Sequence, residues 1–110
     1  MRPTALTLAR AAESHRCWLD DFLRTGSSRS GLQVLETHEC RMGVFLASID
    51  ADIRVHPGYQ ATTELHRQFH YYCSVVATLR ELGCPVDEAL VARIHEVSAE
   101  MLEALRRWAR

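Results

Sequence analysis

A chain of 110 residues, 47% apolar and 25% charged, has the composition of one ordinary globular domain with enough apolar side chains for a small core. Its formal net charge of −1 excludes the basic footprint of a nucleic-acid module, and it has no run of 18 apolar residues that could span a membrane. The first residues carry Arg10, Glu13 and His15 where an export signal needs its apolar segment, so the sequence reads as cytoplasmic and its four cysteines as reduced thiols.

The first expected element is a helix over 4–24, in which Ala5, Leu8, Ala12, His15, Leu19 and Phe22 fall on one stripe of helical period. A polar segment rich in glycine and serine, 26–31, interrupts it. A second helix is expected over 32–53, with Leu35, Met42, Leu46 and Ile49 on its apolar side, ended by His56-Pro57-Gly58. A third, over 62–82, is led by Leu65, Phe69, Tyr72, Val76 and Leu79. Gly83-Cys84-Pro85 then combines a glycine stop with a proline start. The fourth helix covers 86–109, with Leu90, Ile94, Val97, Met101, Leu105 and Trp108 on its stripe. No period-2 pattern competes. Four amphipathic helices with short connections imply an all-α fold, an antiparallel four-helix bundle forming a single domain over 1–110. Such bundles build metal sites from side chains that face inward on neighbouring helices.

His66 and His70, in the segment ELHRQFHYYC, are the sharpest local feature. Four residues is just over one helical turn, so both imidazoles leave the same face and can chelate one ion. Both lie beside the apolar residues Leu65 and Phe69, which turns them toward the interior or its edge. His15 sits on the core stripe of the first helix, where by itself it reads as a satisfied core histidine. Cys40, in HECRMGVFL, by itself reads as a small buried hydrophobe, and Gly43 one turn on would let another helix approach. Together the four residues offer three imidazoles and a thiolate, a donor set that suits tetrahedral zinc rather than magnesium, calcium or manganese.

No CxxC pair is present, which excludes a zinc ribbon and a thioredoxin-type site. His38 and His95 are each followed by glutamate but have no second histidine four residues on, so the zinc-protease motif is absent. Cys73, three residues after His70, is read as packing, with a substitute-ligand role or a thiol partnership with Cys40 as the alternatives. Cys17 and Cys84 are read as structural or incidental, His56 as an exposed loop residue and Trp18 as core.

The succession His15-x-x-Trp18, then Cys40-Arg41-Met42-Gly43-Val44-Phe45-Leu46, then His66-x-x-Phe69-His70 resembles the bacterial chemoreceptor zinc-binding (CZB) domain family. The resemblance spans about residues 8 to 82. It implies that His15, Cys40, His66 and His70 bind zinc. Two positions depart from the family pattern: Phe45 stands where a tryptophan is usual, and Met42 where a leucine is usual. Family members belong to cytoplasmic chemoreceptors or are joined to diguanylate cyclases, whose output is thought to follow zinc occupancy or oxidation of the zinc-bound cysteine.

The function expected on this basis is a zinc-responsive regulatory module without catalysis of its own, with Cys40 as the redox-sensing residue and a signalling output domain or protein as its partner. A three-histidine zinc enzyme with Cys40 loose, and a purely structural helical adaptor, are the alternatives. No nucleic-acid or membrane partner is expected. Trp108, on the apolar stripe of the last helix, either supports a homodimer or closes its own bundle.

Overall fold

In a computed structural model, which describes residues 1–25, 31–35 and 40–109, the apolar stripes become the buried faces of helices. These are α1 (Ala5–Thr25), α2 (Gly31–Leu35), α3 (Arg41–Ala47), α4 (Pro57–Glu81) and α5 (Glu88–Ala109), and no strand occurs among the described residues. Residues 26–30 of the expected polar segment 26–31, and the middle of the expected second helix, 36–39, which includes His38, lie outside the described residues, while Gly31 opens α2. The fold is all-helical. α4 packs most extensively on α5 and α2, while α1 lies against α3 and α5.

Two of the three long helices, α1 and α5, follow the expected periodicity. On α1, Leu8, Ala11, His15, Leu19 and Phe22 are buried at spacings of three and four, as one face of a helix requires. On α5 the buried face is Ile94, Val97, Ser98, Met101, Ala104, Leu105 and Trp108. On α4 the buried face is rotated from the expected one: Leu65, Tyr72 and Leu79 are half-buried, whereas Thr62, His66, Phe69, His70, Cys73, Val76 and Ala77 are buried. The histidines are therefore at the centre of that face and not at its edge.

The expected helix over 32–53 is not continuous. α2 ends at Leu35, and Cys40 stands outside the next helix as its N-cap, with extended backbone at φ −87° and ψ 158°. α3 then stops at Ala47. Ser48 donates its hydroxyl to the Phe45 carbonyl at 2.6 Å, and Arg54 reaches back to the Ala47 and Ile49 carbonyls at 2.9 and 3.0 Å. The C-terminal carbonyls that a longer helix would have paired internally are satisfied this way instead. Turns follow through 51–55. The buried residues of α2 are Gly31 and Val34, and Leu35, expected on the core side, is 44% exposed.

Two further boundaries differ. α4 begins at Pro57, not near 62, because His56-Pro57-Gly58 starts a helix as well as ending a segment. His56 is the N-cap, its Nδ1 accepting from the Gly58 N–H at 2.9 Å, and Pro57 fills the first position, where no N–H is needed. α5 begins after Asp87, whose carboxylate accepts from the Ala89 N–H at 2.8 Å, so Asp87 and not Pro85 opens it. The stop at Gly83 is as expected: its φ of +70° is a left-handed conformation that glycine adopts without a Cβ clash.

The core forms two apolar clusters. One gathers Leu19, Phe22, Val34, Phe69, Cys73, Val76, Ile94 and Val97. The other gathers Leu8, Ala11, Cys40, Met42, Leu46, Ile49, Leu105 and Trp108. Trp18 packs against both. Each fully buried Phe, Met or Ile in them contributes about 1.5–3 kcal/mol. Trp108 is buried within its own chain, beside His56, Tyr59 and Phe45 and directly over Gly58. Among the described residues no helix is long and apolar enough to cross a membrane.

Candidate metal centre

Between the two clusters the buried side chains turn polar. His15, His66, His70 and Ser98 are 3%, 3%, 2% and 6% exposed. The four-residue spacing on α4 stacks His66 and His70 on one face, with ring centroids 4.5 Å apart and planes at 84°. The break before α3 brings in the third donor. As an N-cap, Cys40 accepts a hydrogen bond from the Gly43 N–H at 3.3 Å, and its Sγ meets His66 Nε2 at 3.1 Å and His70 Nε2 at 3.4 Å. One ligand atom from each of Cys40, His66 and His70 lies within 4.8 Å of the others, all three buried.

These separations are those a metal bridges. Tetrahedral zinc, with bonds of about 2.3 Å to sulfur and 2.0–2.1 Å to nitrogen, places sulfur and nitrogen about 3.5 Å apart. The Val34 carbonyl favours the ligating tautomer of His70. Its Nδ1 lies 2.8 Å from that carbonyl, which can only accept, so Nδ1 carries a proton, and in the neutral form of the ring the Nε2 lone pair would face Cys40. Val34 stands in the last turn of α2 as described, one residue before Leu35. A buried Cys/His/His group able to hold a metal ion is thus present.

Burial also keeps the His15 and His66 imidazoles neutral. Desolvation, then the positive charge His70 would carry, then Arg16, push the His15 pKa down to about 4. Desolvation, then repulsion from His70 and His15, push His66 down to about 3. Metal ligation needs the unprotonated ring, so near neutral pH no proton has to leave either group before an ion enters.

His15, the fourth expected ligand, is close to this group but not within it. Its Nε2 is 2.9 Å from Ser98 Oγ, and its ring stands edge-on to Phe69 at 4.5 Å. His15, Cys40 and His70 share the wall of a cavity of about 600 Å³ between α1 and α3, with Trp18, Glu13 and Arg41 also on it. The remaining candidates lie elsewhere. Cys73 is fully buried in the apolar cluster, where desolvation pushes its thiol well above the ordinary range, so it is a packing residue. Cys17, Cys84, His56 and His95 are exposed. Trp18 is partly buried, stacked on Phe22 at 5.2 Å and tilted against His70 at 5.0 Å. Gly43, expected to permit a close helix approach, contributes its backbone N–H to the Cys40 sulfur.

Three groups at the centre were not singled out from the sequence: the Val34 carbonyl, Ser98 and Thr62. Thr62 is fully buried one turn before His66, and its hydroxyl has no hydrogen-bond partner among the described residues. Ser98 and Thr62 did leave a trace, as hydroxyl residues on apolar helix faces. A main-chain carbonyl leaves none. Compared with family models, curated proteins and solved structures, the chain gives no match.

Proposed function

We propose that this chain is a zinc-binding regulatory domain of the CZB type, with Cys40, His66 and His70 as ligands and His15 as the fourth donor. The observation that carries the reading is the preformed triad: three buried donors at metal-bridging distances, one favoured in its ligating tautomer by Val34. Apolar walls on both sides explain how such a cluster is maintained, since buried polar groups without partners are costly. The ordered succession of His15, Cys40 and the His66/His70 pair, which resembles that family, supports the same assignment. Zinc, rather than a harder ion, follows from a thiolate among imidazoles. Bound zinc would neutralise the thiolate's charge in the interior and tie α4 to the turn before α3.

The architecture belonging to this reading is an antiparallel four-helix bundle, with α2 and α3 together as its second member. The order in which the chain visits the two apolar clusters supports it: α1 runs from the second cluster to the first, α2 and α3 return, α4 repeats the direction of α1, and α5 returns again. The output is a signalling domain or protein in the cytoplasm, and the chain performs no catalysis of its own. One observation favours a second reading, a zinc enzyme. The cavity against Cys40 and His70 would suit the open position that catalytic zinc retains. Among the described residues its wall carries one carboxylate, Glu13, which is paired with Arg16 at 3.2 Å.

Metal analysis of protein purified without a histidine tag tests the proposal. One zinc per chain is expected, and His66→Ala or Cys40→Ala should lower affinity by orders of magnitude in competition with a chelator. Full zinc retention by both variants would overturn the site.

A further inference from the structure

The apolar face of α5 is interrupted once near the metal centre, by Ser98 between Val97 and Met101. A buried hydroxyl persists there at low cost only with a partner. Its partner is Nε2 of His15, 83 positions away on α1. His15 is as buried as His66 and His70, and it shares a cavity wall with His70 and Cys40. The three imidazoles nevertheless differ. His66 and His70 turn Nε2 to the Cys40 sulfur, whereas the same atom of His15 is committed to a hydroxyl on another helix.

We propose that Ser98 is a latch on His15: an ion held by Cys40, His66 and His70 draws His15 Nε2 off the Ser98 hydroxyl as its fourth donor, so that filling the site releases a tie between α1 and α5. This rests on the metal-binding reading above and adds how occupancy is transmitted. The step is an exchange of partners at one lone pair. In the metal-free state of this proposal His15 carries its proton on Nδ1, and the Ser98 O–H, 2.9 Å away, donates to Nε2. With metal, that lone pair binds the ion, and the hydroxyl keeps its proton and turns to a carbonyl one turn back on α5, as serine does within helices. No covalent bond is made or broken. The ring needs only to leave one hydroxyl, because the other three donors are already assembled, and a contact between two long helices then has two discrete arrangements.

The test uses the full untagged chain, with Zn²⁺ or Co²⁺ alone as the probe. Ser98→Ala removes the latch, and Ser98→Thr keeps a hydroxyl. Ser98→Ala should bind Zn²⁺ about 5-fold more tightly, because no hydrogen bond has to be given up, and Ser98→Thr should match the wild type. In a His15→Ala background the Ser98→Ala effect should vanish. Histidine side-chain ¹⁵N spectra of the wild type should show the His15 Nε2 resonance moving when Zn²⁺ is added. Unchanged or weaker binding by Ser98→Ala overturns the latch, as does a His15 resonance that stays in place while those of His66 and His70 move. A wild type that binds neither ion overturns the metal-binding reading itself, and the latch with it.

Discussion

Acidification of the metal-free chain should weaken it sharply between pH 7.5 and pH 5, and the buried histidines set the size of the effect. His15 titrates at about 4 and His66 at about 3 in the folded state, against 6.5 when exposed. Both folded values are lowered, so in this window the unfolded chain binds protons that the folded chain refuses. Stability is complete above pH 6.5 and is lost as the pH falls toward 4 and then 3. At pH 5 each group costs about 2 kcal/mol by this linkage, about 4 kcal/mol together, a large part of a small domain's total. Carboxylates do not obscure the window, since the shifted ones, Asp50 and Glu64, start from 3.8 and 4.5 and move further down. The assay is urea unfolding of chelator-treated protein, followed by helical circular dichroism at several pH values. With a slope of about 1.5 kcal/mol per molar urea, the midpoint should fall by roughly 2–3 M. The His15 and His66 ring protons should keep their neutral-state shifts throughout the folded baseline. A midpoint that stays level from pH 7.5 to 5, or His15 and His66 resonances that titrate near 6.5, would refute the argument from burial.

Gly58→Ala tests the packing of the first turn of α4 against the end of α5: a Cβ there would lie 2.5 Å from Trp108 Cγ and 2.7 Å from its Cβ. The indole must move, so a loss of about 1–3 kcal/mol is expected, read as a lower melting temperature with zinc binding retained. A second experiment addresses Cys40 as the redox-sensing residue. Cys40 lies on a cavity wall, and in zinc-loaded protein sub-stoichiometric hypochlorous acid should convert its thiolate to the sulfenic acid, with chloride leaving and zinc held less tightly. Mass spectrometry would contradict this role if the exposed Cys17 or Cys84 were oxidised first while Cys40 and the zinc remained intact.

How much of this was legible in the sequence depends on how local each cause is. α1, α4 and α5 were readable because apolar spacing of three and four encodes a buried helical face whatever that face meets, and the shared face of His66 and His70 follows from helical pitch alone. The left-handed Gly83 was equally local. The break at Cys40 was not readable: the apolar period runs across it, and Cys40 opens α3 as its N-cap, its thiol accepting from the Gly43 N–H while facing two imidazoles on another element. His56-Pro57-Gly58 carries signals for an end and a start at once, and only the packing of Gly58 under Trp108, 50 residues on, shows how the start is used. The sequence by itself determined the helical periods and the pair of histidines one turn apart. Tertiary structure decided the rest: Cys40 against α4, the Val34 carbonyl on His70, and Ser98 rather than a ligand cluster as the partner of His15. Hydrogen bonds between residues 26, 36 and 83 positions apart depend on how helices stack, which no local pattern specifies.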